Sequence, residues 1–134
     1  MPKFSLSSQR KLATCNVKLQ ELINEVIKYL DISIISGHRE EVEQNMLFEN
    51  GYSKVKYPRS KHNSLPSKAV DIMYWNREAP NIRWENREQM IFVAGYIKAM
   101  ADSMGIKIRL GADWNEDLLF KESFFDGGHV EIEE

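Results

Sequence analysis

The stretch SKHNSLPSKAVDI, residues 60–72, decides how the rest of the chain is read. It leaves a polar, proline-containing segment after His62 and enters an alternating apolar run, AVDIMYW, that has the composition of a β-strand. Asp71 sits inside that run. A carboxylate in a half-buried strand is costly unless something pairs with it, so the strand predicts a partner for Asp71, and His62 is a candidate to share a metal ion with it.

Working outward, Leu12, Cys15, Leu19, Leu22, Val26 and Leu30 recur at intervals of three and four and predict an amphipathic helix, interrupted near Asn16, which can cap a second piece. DISIISGHRE reads as a short strand running into a glycine turn, followed by a helix from about Glu40 to Asn50-Gly51. Tyr52 to Lys68, with two prolines, reads as a long loop of the kind that often carries function. Met90, Val93, Ile97, Met100 and Met104 form another helical stripe, ended by Gly105. IKIRLGADW and GGHVEIE read as two closing strands, with the acidic end VEIEE as a solvated strand edge. The order predicts an α+β domain with a small, mostly antiparallel sheet covered by helices.

A chain of 134 residues suits one domain, 1–134, with a single core. The net charge of -2 offers no clustered basic excess for nucleic acid. Cys15 is the only cysteine, which excludes an intramolecular disulfide and cysteine zinc sites; as a stripe residue it reads as small apolar filler. The opening residues lack a secretory core and no run reaches transmembrane length, so the expected compartment is the cytoplasm where the chain is made, with no stable membrane insertion.

The chain has three histidines, His38, His62 and His129. His62, Asp71 and His129 together offer two imidazoles and a carboxylate, the donor set of a hydrolytic zinc site with a position left for water. Asp126 precedes His129 across DGGH, whose glycines would let a turn bring its carboxylate near the metal, where it could take and return a proton. By residue type alone a plainer reading also stands: a surface histidine, an edge aspartate and a hairpin turn at Asp-Gly. The methionine and aromatic stripes read as core; Trp75 and Trp84 read equally well as packing or as walls of a substrate groove.

Four segments in order sharpen this: SGHRE with Gln44, SKHNSLPSKAVDI, GADW and DGGHVEI. Together they resemble the zinc-dependent peptidoglycan peptidases, which include phage L-alanyl-D-glutamate endopeptidases and D-alanyl-D-alanine dipeptidases and carboxypeptidases and share the Hedgehog/DD-peptidase fold. The resemblance covers nearly the whole chain. It implies His62, Asp71 and His129 as zinc ligands, Asp126 as catalytic base and acid, and Arg39 as the cation facing the scissile carbonyl. It further implies that Ser60 contacts substrate or braces the His62 loop, and that Gln44 and Trp114 support the site, with Trp114 beside the substrate. His38 stays outside the ligand set. One departure stands out: NSLPSKAV makes the His62–Asp71 gap longer than in the commonest family pattern.

The resemblance implies a phage endolysin cutting the L-Ala-D-Glu bond of the peptidoglycan stem, since RKLATCNVKLQEL is most similar to the phage endopeptidases. A monomer made in the host cytoplasm would reach the wall after a holin-type partner permeabilises the inner membrane. Two other readings stay open: a D-Ala-D-Ala peptidase with the same zinc chemistry, and a non-catalytic zinc-containing binding module. Asp126 and Arg39 argue against the latter, because a structural site needs neither. A nuclease reading of His62-Asn63 lacks its companion residues and a basic surface.

Overall fold

The computed structural model describes residues 2–75 and 86–133. Trp84, one of the two candidate groove residues, lies outside them. The elements run α1 (Leu6–Leu12), α2 (Val17–Val26), β1 (Ile32–Ser36), α3 (Glu41–Glu49), β2 (Ala69–Tyr74), α4 (Arg87–Met104), β3 (Ile108–Leu110) and β4 (His129–Ile132). The α+β expectation holds. The strands form one antiparallel sheet in the order β1-β2-β4-β3.

The first apolar stripe divides where Asn16 interrupts it. Asn16 caps α2, its side chain accepting from the Lys18 amide at 2.8 Å, while Ser5 caps α1. Leu12, Cys15, Leu19, Leu22 and Val26 nevertheless share one buried cluster across the break, and burial pushes the Cys15 thiol up to about 11. In α4, Met90, Val93, Ala94, Ile97 and Ala101 are buried, and Gly105 ends the helix in the left-handed region at φ 70°.

Alternation along the strands divides the sheet into two faces. Val70, Ile72 and Tyr74 of β2, with Val130 and Ile132 of β4, belong to the core cluster that α1, α2 and α4 cover. The intervening residues Asp71, His129 and Glu131 therefore point to the opposite face, away from the apolar core. Asp71 and His129 are register partners, as are Glu131 and Arg109. The sheet thus sets Asp71 beside His129 by pairing alone.

Two expectations are corrected. Within VEIEE, Val130 to Ile132 are not a solvated edge: β4 lies between β2 and β3, and Glu131 is only 6% exposed, whereas Glu133 past the strand is exposed and Glu134 lies outside the described residues. The strand expected through GADW is only three residues long, because the chain turns at Gly111, whose amide bonds the His129 carbonyl while Asp113 bonds back to Leu110.

Gly111 is small for a reason of proximity. A Cβ there would run into the Asp126 carbonyl and stand 2.8 Å from His129 Cβ and 2.9 Å from Asp126 Cβ. Gly111→Ala is expected to displace the Asp126–His129 turn and to cost about 1–3 kcal/mol of stability, the usual penalty of overpacking. A thermal melt beside a turnover assay checks it, and unchanged values in both would show that the turn yields freely.

Candidate active site

His62 comes from the long loop, which has neither helix nor strand between residues 51 and 68 yet is tightly stitched. The Arg39 amide donates to the His62 carbonyl at 2.8 Å, and the His62 amide donates to Ser60 Oγ at 3.1 Å. Ser60 therefore braces the loop through a short local bond. Asn63 ties the same loop to the Arg39 carbonyl at 3.0 Å. His62 is 2% exposed, so its ring faces protein on nearly every side.

The ring nitrogens of both histidines are assigned by their neighbours. His62 Nδ1 lies 2.8 Å from the Gly37 carbonyl, which can only accept, so the neutral ring carries its proton there and leaves a lone pair on Nε2. His62 Nε2 is buried and has no hydrogen-bond partner, although Asp71 Oδ1 is 3.2 Å away. His129 Nε2 lies 2.9 Å from Glu131 Oε1, and His129 Nδ1 lies 3.2 Å from the same Asp71 oxygen. His62, Asp71 and His129 each present a donor atom within 4.8 Å of the other two.

Lone pairs pointed at one another in a buried place repel unless a cation or proton lies between them. An orphaned imidazole nitrogen aimed at a carboxylate and a second imidazole is the chemistry a divalent metal requires, so the residues fit a metal ion. Burial works against the charge of Asp71, but the neighbouring imidazoles, His62 first and His129 next, outweigh it and hold the carboxyl well below the usual range. Burial likewise opposes charge on His129, yet its hydrogen bonds to Asp71 and Glu131 raise it to about 10 without metal. An incoming cation would displace that proton. Glu131 is shifted downward, its burial outweighed by the bond to His129.

Arg39 is 8% exposed and engaged on two sides. Its Nη2 donates to Asp71 Oδ2 at 2.9 Å and its Nη1 to Gln44 Oε1 at 3.0 Å. The outer oxygen of Asp71 is thereby occupied, and Oδ1 is left facing the histidines. Gln44, fully buried, is oriented by donating to Ser53 Oγ and the Val55 carbonyl.

Asp126 begins the turn closed by the His129 amide on its carbonyl at 3.1 Å. Its Oδ2 stands 3.9 Å from His129 Nδ1, near the donor group without joining it. Burial, followed by the negative charge of Asp71, raises its pKa above the ordinary aspartate value. Trp114 donates to the Phe124 carbonyl at 2.9 Å, and its ring lies 5.0 Å from that of His129. His38 bonds the Ser64 carbonyl through Nδ1 at 2.9 Å and is not in the donor group.

Among the described residues a second set, Asp113, Asp117 and Glu122, also brings carboxylate oxygens within 4.8 Å of one another. Sequence reasoning passed over this set and Glu131. The signal for Glu131 was available: a residue two beyond His129 in a strand shares its face.

An α+β domain in which a loop brings His62 to Asp71 and His129 on one face of an antiparallel sheet defines the class: a small domain whose buried donors could hold a metal ion. The chain belongs to the phage L-alanyl-D-glutamate peptidase family, whose pattern its residues 1–133 match. It is 32% identical over 138 residues to the L-alanyl-D-glutamate peptidase of Escherichia phage T5, with 97% of each chain covered. Its fold matches that of the Serratia marcescens L-Ala D-Glu endopeptidase ChiX with a TM-score of 0.75 at 22% identity, over 98% of this chain and 90% of the other.

Proposed function

We propose that this chain is a zinc-dependent peptidase that hydrolyses the L-Ala-D-Glu bond in the peptide stem of bacterial peptidoglycan. The observation that carries the reading is the convergence of His62 Nε2, Asp71 and His129 in a chain of this family. Two imidazoles and one carboxylate are a donor set that zinc takes in hydrolytic sites. Bound there, zinc would supply the Lewis acidity that makes water nucleophilic near neutral pH.

The chain's own residues would do the rest. Hydrolysis breaks the C–N bond, placing hydroxyl on the alanyl carbonyl carbon and hydrogen on the glutamyl nitrogen. Asp126 is the group positioned to take the proton from water and return it to the leaving nitrogen, and its raised pKa suits a residue that must carry that proton. Arg39 holds Asp71 in orientation and keeps a positive charge at the edge of the site, where it can oppose charge developing on the carbonyl oxygen. Ser60 fixes the His62 loop, and Trp114 backs the His129 ring.

Among the described residues no helix is long and apolar enough to cross a membrane. The reading is completed by a single catalytic domain that acts as a monomer, is made in the host cytoplasm and reaches the wall after a holin-type protein opens the inner membrane.

The test is mass spectrometry of products from Gram-negative peptidoglycan, digested with enzyme, with enzyme plus chelator, and after zinc is restored. Fragments with a new D-glutamate amino terminus that vanish with chelator and return with zinc are expected. Released D-alanine or its dipeptide would reassign the bond, and absence of any product from a zinc-loaded protein would leave a binding module.

A further inference from the structure

We propose that Glu131 is a positioning residue that holds His129 with Nδ1 presented to the metal, and that this contact governs how tightly the site holds zinc. The inference rests on the zinc reading above and adds to it a residue outside the ligand set.

Glu131 follows His129 by two positions in β4, so both side chains stand on the face opposite the core. Its Oε1 lies 2.9 Å from His129 Nε2 in a place sealed from solvent, with each side chain 8% exposed. A carboxylate only accepts, so in the neutral ring the proton belongs on Nε2 and the lone pair on Nδ1. The other tautomer would set two lone pairs against each other at Glu131 and turn an N–H toward the donor group. Unrelieved, that conflict in a buried site is expensive.

Two further side chains flank the arrangement. Arg109, the register partner of Glu131, places Nε 3.7 Å from Glu131 Oε2. Its guanidinium lies over the Trp114 ring at 5.3 Å, and Trp114 in turn lies against His129. The imidazole is thus fixed at its edge by Glu131 and at its face by Trp114. His62 is fixed by a neutral carbonyl, that of Gly37, whereas His129 is fixed by a carboxylate. An acidic partner makes the ring the stronger donor, and loss of such a partner commonly weakens metal binding about 10–100-fold.

Glu131 has a plainer use as the counter-charge of Arg109, but that pair is long and the Arg109 side chain is 43% exposed, so it contributes little. The two roles separate by experiment. Glu131→Gln keeps the shape, and Glu131→Ala removes the acceptor. Zinc affinity is measured by competition with a chromophoric chelator, melting temperature on the metal-free protein, and the His129 ring proton by ¹H–¹⁵N correlation on zinc-loaded protein.

Expected are a wild-type proton on Nε2 shifted downfield by the carboxylate, zinc binding about tenfold weaker with Gln, and a loss nearer a hundredfold with Ala. If Ala does not fold, the Gln variant decides alone. Wild-type zinc affinity in the folded variants, even with a lower metal-free melting temperature, would assign Glu131 to Arg109 and overturn the proposal. A wild-type proton on Nδ1 would overturn it as well. A wild-type chain that binds no zinc would instead remove the metal reading on which it stands.

Discussion

Asp71→Asn is expected to strip the metal from the protein and to lower turnover by about 10³-fold or more. A metal acting as Lewis acid supplies several kcal/mol to the transition state, and about 1.4 kcal/mol corresponds to each tenfold. Asparagine preserves the shape of the side chain and its place opposite His129, so the variant removes charge and donor strength with little change in packing. The consequences reach past the metal. Arg39 Nη2 sits 2.9 Å from Asp71 Oδ2 with both side chains largely buried, and the Asp71 carboxylate is also the anion facing His62 and His129. Removing one partner of a buried pair costs about 3–5 kcal/mol, so the metal-free variant should also melt lower than the metal-free wild type. Metal content after dialysis, a turnover assay with added zinc and a pair of melts measure all of this. A variant that retains one zinc per chain would remove Asp71 from the ligand set.

Asp126→Asn should behave in the opposite way, keeping its zinc while turnover falls by about 10²–10⁴-fold, the range that a positioned acid–base group supplies. The reason is geometric. Asp126 Oδ2 is 3.9 Å from His129 Nδ1, too far to hold the ring, and the turn that carries it is closed by backbone bonds to Gly111 and His129 that the variant keeps. The side chain is 33% exposed, so it is reachable by substrate, where His62 and His129 are nearly sealed. Zinc content and product formation on the same preparation separate base from ligand. Loss of the metal would mean that Asp126 belongs to the coordination shell.

The contrast between Asp126 and Glu131 shows where reading the chain alone reaches its end. Both are acidic residues within three positions of His129. Asp126 was legible because DGGH carries turn chemistry beside a histidine and because the resemblance supplied a role for it. Glu131 reads from sequence as part of a solvated strand edge, because it stands in the acidic end VEIEE. Strand order in a sheet need not follow chain order. β4 inserts between β2 and β3, and this burial makes the Glu131 carboxylate the partner of His129. Arg39 is a similar case. Its nearness to the site was expected, but its grip on the outer oxygen of Asp71 depends on Gln44, whose place depends in turn on Ser53 and Val55 in the long loop.

By itself the sequence determined the helices, through stripes at threes and fours and the caps at Asn16 and Gly105, and most of the strands, through alternation. Those are local properties, written in neighbouring residues. It also determined, through the likeness of four ordered segments, that His62, Asp71 and His129 belong together. Only the tertiary structure decided which nitrogen of each histidine faces Asp71, which oxygen of Asp71 is left free, and that Glu131 is inside. Most of those are set by a partner brought from far along the chain: Gly37 for His62, Arg39 for Asp71, and β2 and β3 closing on either side of β4. His129 is turned by Glu131, a near neighbour in sequence that becomes its partner only once the sheet has buried both. Hydrogen-bond direction and burial are properties of the assembled sheet, and no local pattern encodes them.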